Sequence, residues 1–305
     1  VSGVALSIGN FDGVHLGHQC MLEQVKQAAL GLNLEPAALT FAPHPREYFA
    51  ERSRRPELSP TQITGLRDKV QAILDCGLKR VVIAKFNHLL ADMPATAFVE
   101  DLLIKTLNVK WLLVGEDFRF GQKRSGDFDL LTKLGTSHGL TVQAQPDITD
   151  SKGHRISSSE VRGALALGDL ARAKDLLGRN FAISGHVTHG QKLGRTLGFP
   201  TLNMRVTPRC AARSGIYVVR VHGLTSNAQA GIASLGVRPT VEDNGLILLE
   251  THILDADVDA YGKLVRIEFL QHVRDEEKFP DLTTLTAAMD ADRQHARAYF
   301  ALHGL

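Results

Sequence analysis

Up to about residue 178, short apolar runs alternate with segments whose apolar residues recur every three or four positions. Val4–Ile8 is the first run. A helix follows, with Met21, Leu22, Val25, Ala28, Ala29 and Leu32 on one face. Further runs at Ala37–Phe41, Arg80–Ala84 and Val109–Gly115 are separated by expected helices near Thr61–Leu74 and Ala95–Thr106. Short, fully apolar strands between helices predict an α/β domain with a parallel sheet covered on both faces. In such sheets ligands lie beyond the carboxyl ends of the strands.

The texture changes at Phe181. IYVVRV (216–221), AGIASL (230–235), LILLETHIL (246–254) and LVRIEFL (264–270) recur with turn residues between them. That spacing predicts an antiparallel barrel or sandwich. A helix near Leu282–Leu302 closes the chain, with Leu285, Met289, Ala296 and Phe300 on its apolar stripe. The expected boundary is LLGRN (176–180), after a helix that begins near Ser158, giving domains of residues 1–178 and 179–305.

Composition narrows the function classes. A chain of 305 residues that is 44% hydrophobic and 22% charged can bury one large core or two ordinary ones. The net charge of +2 gives no reason to expect a nucleic-acid partner. No apolar stretch approaches the roughly 18 residues of a membrane span. Cys20, Cys76 and Cys210 are far apart and form no CxxC pair, so a reducing cytoplasm is the plain reading. No charged-then-apolar leader ending in small residues opens this sequence, so secretion is not expected, and a core strand starting at Val4 reads as a truncated or processed start. The oligomeric state stays open, a homo-oligomer included.

Two stretches carry the chemistry. The first, IGNFDGVHLGHQ (8–19), stands where the first strand gives way to a helix. Its glycines permit a tight turn and a close ligand, and a helix N-terminus adds unpaired N–H groups and partial positive charge. His15 and His18, three apart, can face one point beyond that N-terminus. Zinc is the competing reading, but helical zinc pairs lie at i+4 and no third ligand is evident. Two surface histidines without function are the bland alternative. Phosphate contact suits the pattern better, although neither GK[ST] nor GxGxxG occurs. HPREYF (44–49) reads equally as an ordinary loop. Asp117 in GEDFRFG (115–121) can orient a ribose or an adenine amine, or simply end a strand. RFGQKRSGD (119–127) is a basic loop that can meet phosphate or only water.

FDGVHLGH resembles the HxGH signature of the nucleotidyltransferase superfamily, and RISSSEVR (155–162) resembles the ISSTxxR motif paired with it. The resemblance implies a Rossmann-like parallel sheet and a reaction with a nucleoside triphosphate. It implies ATP contacts from Gly9, Phe11, Asp12, His15, His18, Asp117, Arg155, Ser158, Ser159 and Arg162. The histidines would stabilise charge on the α-phosphate, and the serines and Arg162 would hold the β- and γ-phosphates. Positioning and charge stabilisation carry most of such a transfer. His44 and Arg46 stand near the same sheet edge, where the acceptor would lie.

The second stretch is GRTLGFPTLN (194–203). Thr201 and Asn203, two apart in an extended segment, project oxygens to one side, and such oxygens suit Mg²⁺. A turn with two hydrogen-bonding side chains is the plain alternative. The stretch resembles the riboflavin kinase signature PTxN, with Leu202 where alanine is usual; SGIYVVRV, ASLGVRPT and LETHILD match further. The resemblance implies an antiparallel β-barrel with a C-terminal helix. It also implies Mg²⁺ on Thr201 and Asn203, ATP contacts from Gly190, Lys192, Gly194, Arg195, Gly198 and Thr201, and Glu250 as general base for the ribityl 5′-hydroxyl. Both motif sets, in this order, resemble the bacterial bifunctional riboflavin kinase/FMN adenylyltransferase family, also called FAD synthetases. Its members phosphorylate riboflavin to FMN and adenylylate FMN to FAD, with ATP in both steps. Three departures stand: family members have residues before the first strand, and Ser159 and Leu202 replace threonine and alanine. The competing enzyme reading is a nucleotidyltransferase for another phosphorylated acceptor with a non-catalytic flavin-binding barrel. A non-catalytic flavin sensor is the rival from another class.

Overall fold

The computed structural model describes residues 3–189, 198–237, 247–256 and 260–305. Packing divides the chain into two compact units. One comprises the residues up to Pro60 together with Leu66–Ser158; the other comprises Thr61–Gly65 and Ser159–Leu305.

In the first unit, five strands form one parallel sheet in the order β3-β2-β1-β4-β5. They are β1 Val4–Ile8, β2 Glu35–Ala42, β3 Arg80–Lys85, β4 Val109–Gly115 and β5 Thr141–Gln145. Pleating sends alternate residues of β1 to opposite faces. Val4, Leu6 and Ile8 join a core with Leu39, Phe98, Leu103, Leu112 and Leu131. Ala5 packs with Val25, Ala29, Trp111 and Leu113 on the other side. Helix α1, Leu16–Leu32, covers that second face through Leu22, Val25 and Ala29, whereas Leu32, expected on the buried stripe, is 55% exposed.

Other helices follow: α2 Pro45–Arg52, α3 Leu66–Asp75, α4 His88–Ala91, and α5 Ala95–Ala97, which runs into a π-helical Phe98–Thr106; then come α6 Phe128–Ser137 and α7 Ser158–Ala166. The helix expected from Thr61 starts only at Leu66, and HPREYF, read as a possible loop, is largely α2. The sheet order reverses at β1, so its carboxyl end and that of β4 flank the place where such folds bind ligands.

The second unit is a six-stranded antiparallel sheet, ordered β6-β11-β8-β9-β10-β7, that forms a nearly closed barrel. Its strands are β6 Ala182–His186, β7 Thr201–Val206, β8 Gly215–His222, β9 Gln229–Val237, β10 Ile247–Ile253 and β11 Leu264–Arg274. A bridge between Thr188, just past β6, and Asn203 in β7 joins the two ends of the strand order. Helix α9, Leu282–His303, packs Ala296 against Val218, Ile232 and Leu254. Helix α8, Leu170–Leu177, lies against β11 and stops at Gly178, whose φ of 70° is the left-handed cap glycine favours. Thus α8 and all of α7 after Ser158 pack within this unit, although the sequence reading grouped them with residues 1–178.

Candidate active sites

The turn after β1 is fixed largely through its carbonyl groups. Thr40 Oγ1 donates to Asn10 O at 3.1 Å, Ser158 Oγ to Asp12 O at 2.9 Å, and Gln19 Nε2 to Val14 O at 2.8 Å. Because C=O and N–H point oppositely across a trans peptide, each anchored carbonyl turns the next N–H the other way. The turn is strained: Phe11 and Val14 hold φ of 47° and 42°, a region that disfavours bulky and β-branched residues. Gly9 relieves the crowding, since a Cβ there would lie 3.1 Å from the Phe11 ring. That ring is fully buried with Val14, Leu22, Ala38 and Ile73. Phe11, expected to touch ATP, therefore offers the site only its main chain.

His15 is the N-cap of α1: its Nδ1 accepts from the His18 N–H at 3.3 Å. A neutral His15 with Nδ1 as acceptor carries its proton on Nε2. The His15 and His18 rings stack with centroids 3.7 Å apart, and Phe11 meets His18 edge-on. Gly17 makes this possible, because a Cβ there would lie 3.2 Å from the His15 ring and 3.4 Å from the Ile156 carbonyl. No group of three His, Cys, Asp or Glu suited to a metal occurs among the described residues, so the histidine pair lacks such a third zinc ligand there.

The other expected ATP contacts fall into two groups. Asp117 and Arg155 are brought together at 3.5 Å, with Asp147 also on Arg155 at 3.0 Å. These exposed pairs orient side chains more than they stabilise the fold. Ser158 spends its proton on Asp12 O, Ser159 is exposed, and Arg162 Nε donates to Thr61 O at 2.7 Å. His44 repeats the capping device, accepting from Arg46 N at 3.1 Å at the start of α2, and Arg46 is exposed.

In the barrel, Glu250 lies directly opposite Asn203 on β7 and Ser234 on β9. Directly paired residues share a face, so Asn203, Glu250 and Ser234 form one row. Thr201 and His252 form the adjacent row, and the His252 ring bonds Pro200 O at 2.9 Å. Asn203 is buried; its Nδ2 donates toward Thr201 O and Oγ1 at 3.3 and 3.4 Å. Its Oδ1 has no hydrogen-bond partner among the described residues. Gly198, with φ of 83°, makes the turn before this strand. Gly190, Lys192, Gly194 and Arg195 lie outside the described residues.

Sequence reading passed over two ionisable groups. Lys69 on α3 is only 7% exposed, and a charged residue inside an amphipathic helix gave no chemical motif to find it by. Glu276 accepts from Ser234 Oγ at 3.2 Å and interacts electrostatically with Glu250. Burial raises its carboxyl above the ordinary value, the charge of Glu250 adds, and the Ser234 bond opposes. A Cβ on Gly236 would overlap the Glu276 carboxylate, which would have to swing away from this position.

Comparison with known proteins agrees with both halves. The FAD synthetase family model matches residues 1–160, and the riboflavin kinase model matches 177–300. A bifunctional riboflavin kinase/FMN adenylyltransferase of Haemophilus influenzae is 40% identical over 98% of this chain and 95% of its own. The Escherichia coli K12 protein of the same name is 41% identical over 98% and 94%. A solved structure described as a macrolide-efflux protein of Streptococcus pneumoniae shares the architecture: TM-score 0.78, 27% identity, 97% of this chain and 95% of that one. No helix among the described residues is long and apolar enough to cross a membrane. With both portions matched and relatives at about this identity along nearly its whole length, the chain belongs to the bifunctional riboflavin kinase/FMN adenylyltransferase family.

Proposed function

We propose that the chain carries out the two reactions of its family at two separate sites: riboflavin to FMN in the barrel, and FMN to FAD with release of pyrophosphate at the β1–α1 turn. The observation that carries this reading is the row Asn203–Glu250 beside Thr201. A barrel that merely bound flavin would need neither a carboxylate facing an amide nor a buried amide oxygen left without a partner among the described residues.

That oxygen suits a hard cation, and Thr201 Oγ1 lies on the same face, so these two residues would hold Mg²⁺. Bound there, the ion would neutralise charge on the phosphates of ATP. Glu250 would orient the ribityl 5′-hydroxyl and take its proton late, because a free carboxylate with pKa of about 4.3 is a weak base for an alcohol. In the first unit, the Nε2–H of His15 and the His18 ring would stabilise charge developing on the α-phosphate. Ser158 works there by fixing Asp12 O rather than by touching ATP with its proton. Ser159 and Arg162 would hold the outer phosphates, and Asp117 with Arg155 the nucleoside. His44 and Arg46 would contact FMN. Gly190, Lys192, Gly194, Arg195, Gly198 and Thr201 would border the kinase ATP. By motif content we take 1–178 and 179–305 as the adenylyltransferase and kinase domains, with α7 (after Ser158) and α8 linking them in sequence and packing within the second unit. Three cysteines without a disulfide support a reducing, cytoplasmic setting, with small molecules as the only partners assigned.

Incubation with riboflavin, ATP and Mg²⁺, followed by chromatography of the flavins, tests the reading. FMN and then FAD are expected. A protein that forms FAD only from supplied FMN would favour a nucleotidyltransferase with a non-catalytic barrel.

A further inference from the structure

Burying an ammonium group is costly unless acceptors and opposite charge surround it. Lys69 is 7% exposed, yet its hydrogen bonds are long: 3.4 Å to Thr40 Oγ1 and 3.5 Å to Phe41 O. The carboxylates of Asp12 and Glu47 also act on it, while burial draws its pKa below the ordinary lysine value. Two of these partners belong to the frame of the β1–α1 turn. Thr40 has a single hydroxyl proton, which it gives to Asn10 O at 3.1 Å. Its oxygen therefore meets Lys69 as an acceptor. Asp12, itself 5% exposed, is the other. An uncompensated carboxylate in a turn that receives a polyphosphate would repel it.

We propose that Lys69 is a positioning residue for adenylyl transfer, its buried ammonium holding the Asn10–Asp12 turn through the Thr40 hydroxyl and balancing the Asp12 carboxylate. No hydrogen bond runs from it to His15 or His18, so it acts through the turn. The proposal rests on the reading of that turn as the adenylyl-transfer site. It assigns a role to a residue that neither motif contains.

The full chain supplies its own control, because the barrel's kinase reaction reports on the integrity of the same molecule. FAD formation from supplied FMN and ATP is measured for Lys69→Met, Lys69→Arg, Thr40→Val and Lys69→Met/Thr40→Val, with kcat and KM for ATP separated. Lys69→Met is expected to lower kcat/KM for FAD formation about ten- to a hundredfold, the range of a hydrogen bond to a charged group. KM for ATP rises, while kinase activity is unchanged. Lys69→Arg restores part of the loss. The double variant loses less than the two single losses combined, because the contact between Lys69 and Thr40 is removed in both. Undiminished FAD formation in Lys69→Met, additive losses, or a parallel fall in kinase activity and thermal stability would each overturn the proposal. If Lys69→Met does not accumulate, Thr40→Val alone must still impair FAD formation, and normal activity there overturns it equally. His15→Ala separates the two levels. If it leaves FAD formation intact, the site reading itself fails; if it abolishes FAD while Lys69→Met does not, only the role of Lys69 falls.

Discussion

His15 and His18 are joined by a hydrogen bond from the backbone N–H of His18 to the imidazole Nδ1 of His15, at 3.3 Å. The same atom that caps helix α1 thus selects the His15 tautomer, and the two rings stack at 3.7 Å. Capping takes one edge of the ring and leaves Nε2 on the other.

These two uses separate by mutation. In His15→Asn the amide oxygen can replace Nδ1 as the cap acceptor, whereas the Nε2–H is gone. Thermal stability is expected to stay near wild type, since asparagine is among the best N-caps. FAD formation is expected to fall at least about a hundredfold, the loss typical of one removed donor to a developing anion. FMN formation from riboflavin continues. Equal loss of both products in a folded protein would overturn the assignment of separate sites.

Gly17 supplies a second test. Alanine is ordinarily the better helix former, by about 1 kcal/mol. Here its Cβ would press on the His15 ring from 3.2 Å and on the Ile156 carbonyl from 3.4 Å. The expected result for Gly17→Ala is a folded chain with normal kinase activity and slowed FAD formation, through displacement of His15. Full adenylyl-transfer activity would mean that the ring position is not critical.

In the barrel, Asn203→Ala removes the buried Oδ1 that lacks a partner among the described residues. Kinase activity should fall and require more Mg²⁺, with FAD formation from supplied FMN preserved. An unchanged Mg²⁺ dependence, read by titrating the metal against FMN formation, would remove Asn203 from the ligand set.

Much of this was legible because it is local. Val4–Ile8 and Val109–Gly115 are found where their apolar runs placed them, and the glycine-histidine motif sits at the strand-to-helix junction as expected. Strand β5 was not legible: TVQAQ has an exposed, half-polar edge pattern with no continuous apolar run. The motif says nothing of side-chain direction: Phe11, expected at the ATP site, holds a left-handed φ and has its ring in the core, which leaves its main chain for any contact. Lys69 and Glu276 were invisible for another reason. Lysine and glutamate in polar surroundings read as solvated surface, and only tertiary packing sets one beside Thr40 and the other beside Ser234.

Glu276 leads to a pH effect with a definite sign. Burial first, and the Glu250 charge after it, raise its carboxyl above 4.5 in the folded chain, against the opposing Ser234 bond. The folded state therefore holds this proton more tightly than the unfolded state. The contribution to stability is greatest where Glu276 is protonated, and declines as pH rises from the ordinary value of 4.5 through the folded one. Glu276→Gln should flatten that part of the stability–pH curve, measured by thermal unfolding in a pH series. Parallel curves for the two proteins would mean that Glu276 is not raised.

The last prediction concerns where the barrel can be cut free. A fragment of residues 179–305 retains Thr201, Asn203 and Glu250 but loses α8, whose Leu170, Ala173, Leu176 and Leu177 are buried and which packs on β11. At about 1.5–3 kcal/mol for each buried leucine, that loss is comparable to the whole stability of an ordinary domain. The fragment also loses the Leu165 carbonyl that accepts from Arg213 N at 3.0 Å. Missing too is Gln62, whose backbone exchanges bonds of 2.6 and 2.9 Å with Arg209 and Ala211. A fragment of residues 159–305 keeps α8 and Leu165 and lacks only the Thr61–Gly65 segment of this unit. It should therefore be the more soluble and the higher melting of the two, and should form FMN from riboflavin and Mg-ATP without forming FAD. The shorter fragment should expose the flank of β11 and aggregate. Equal solubility and melting temperature for both would show that α8 is dispensable to the barrel. A folded 159–305 fragment with no kinase activity would show that the first unit completes the kinase site.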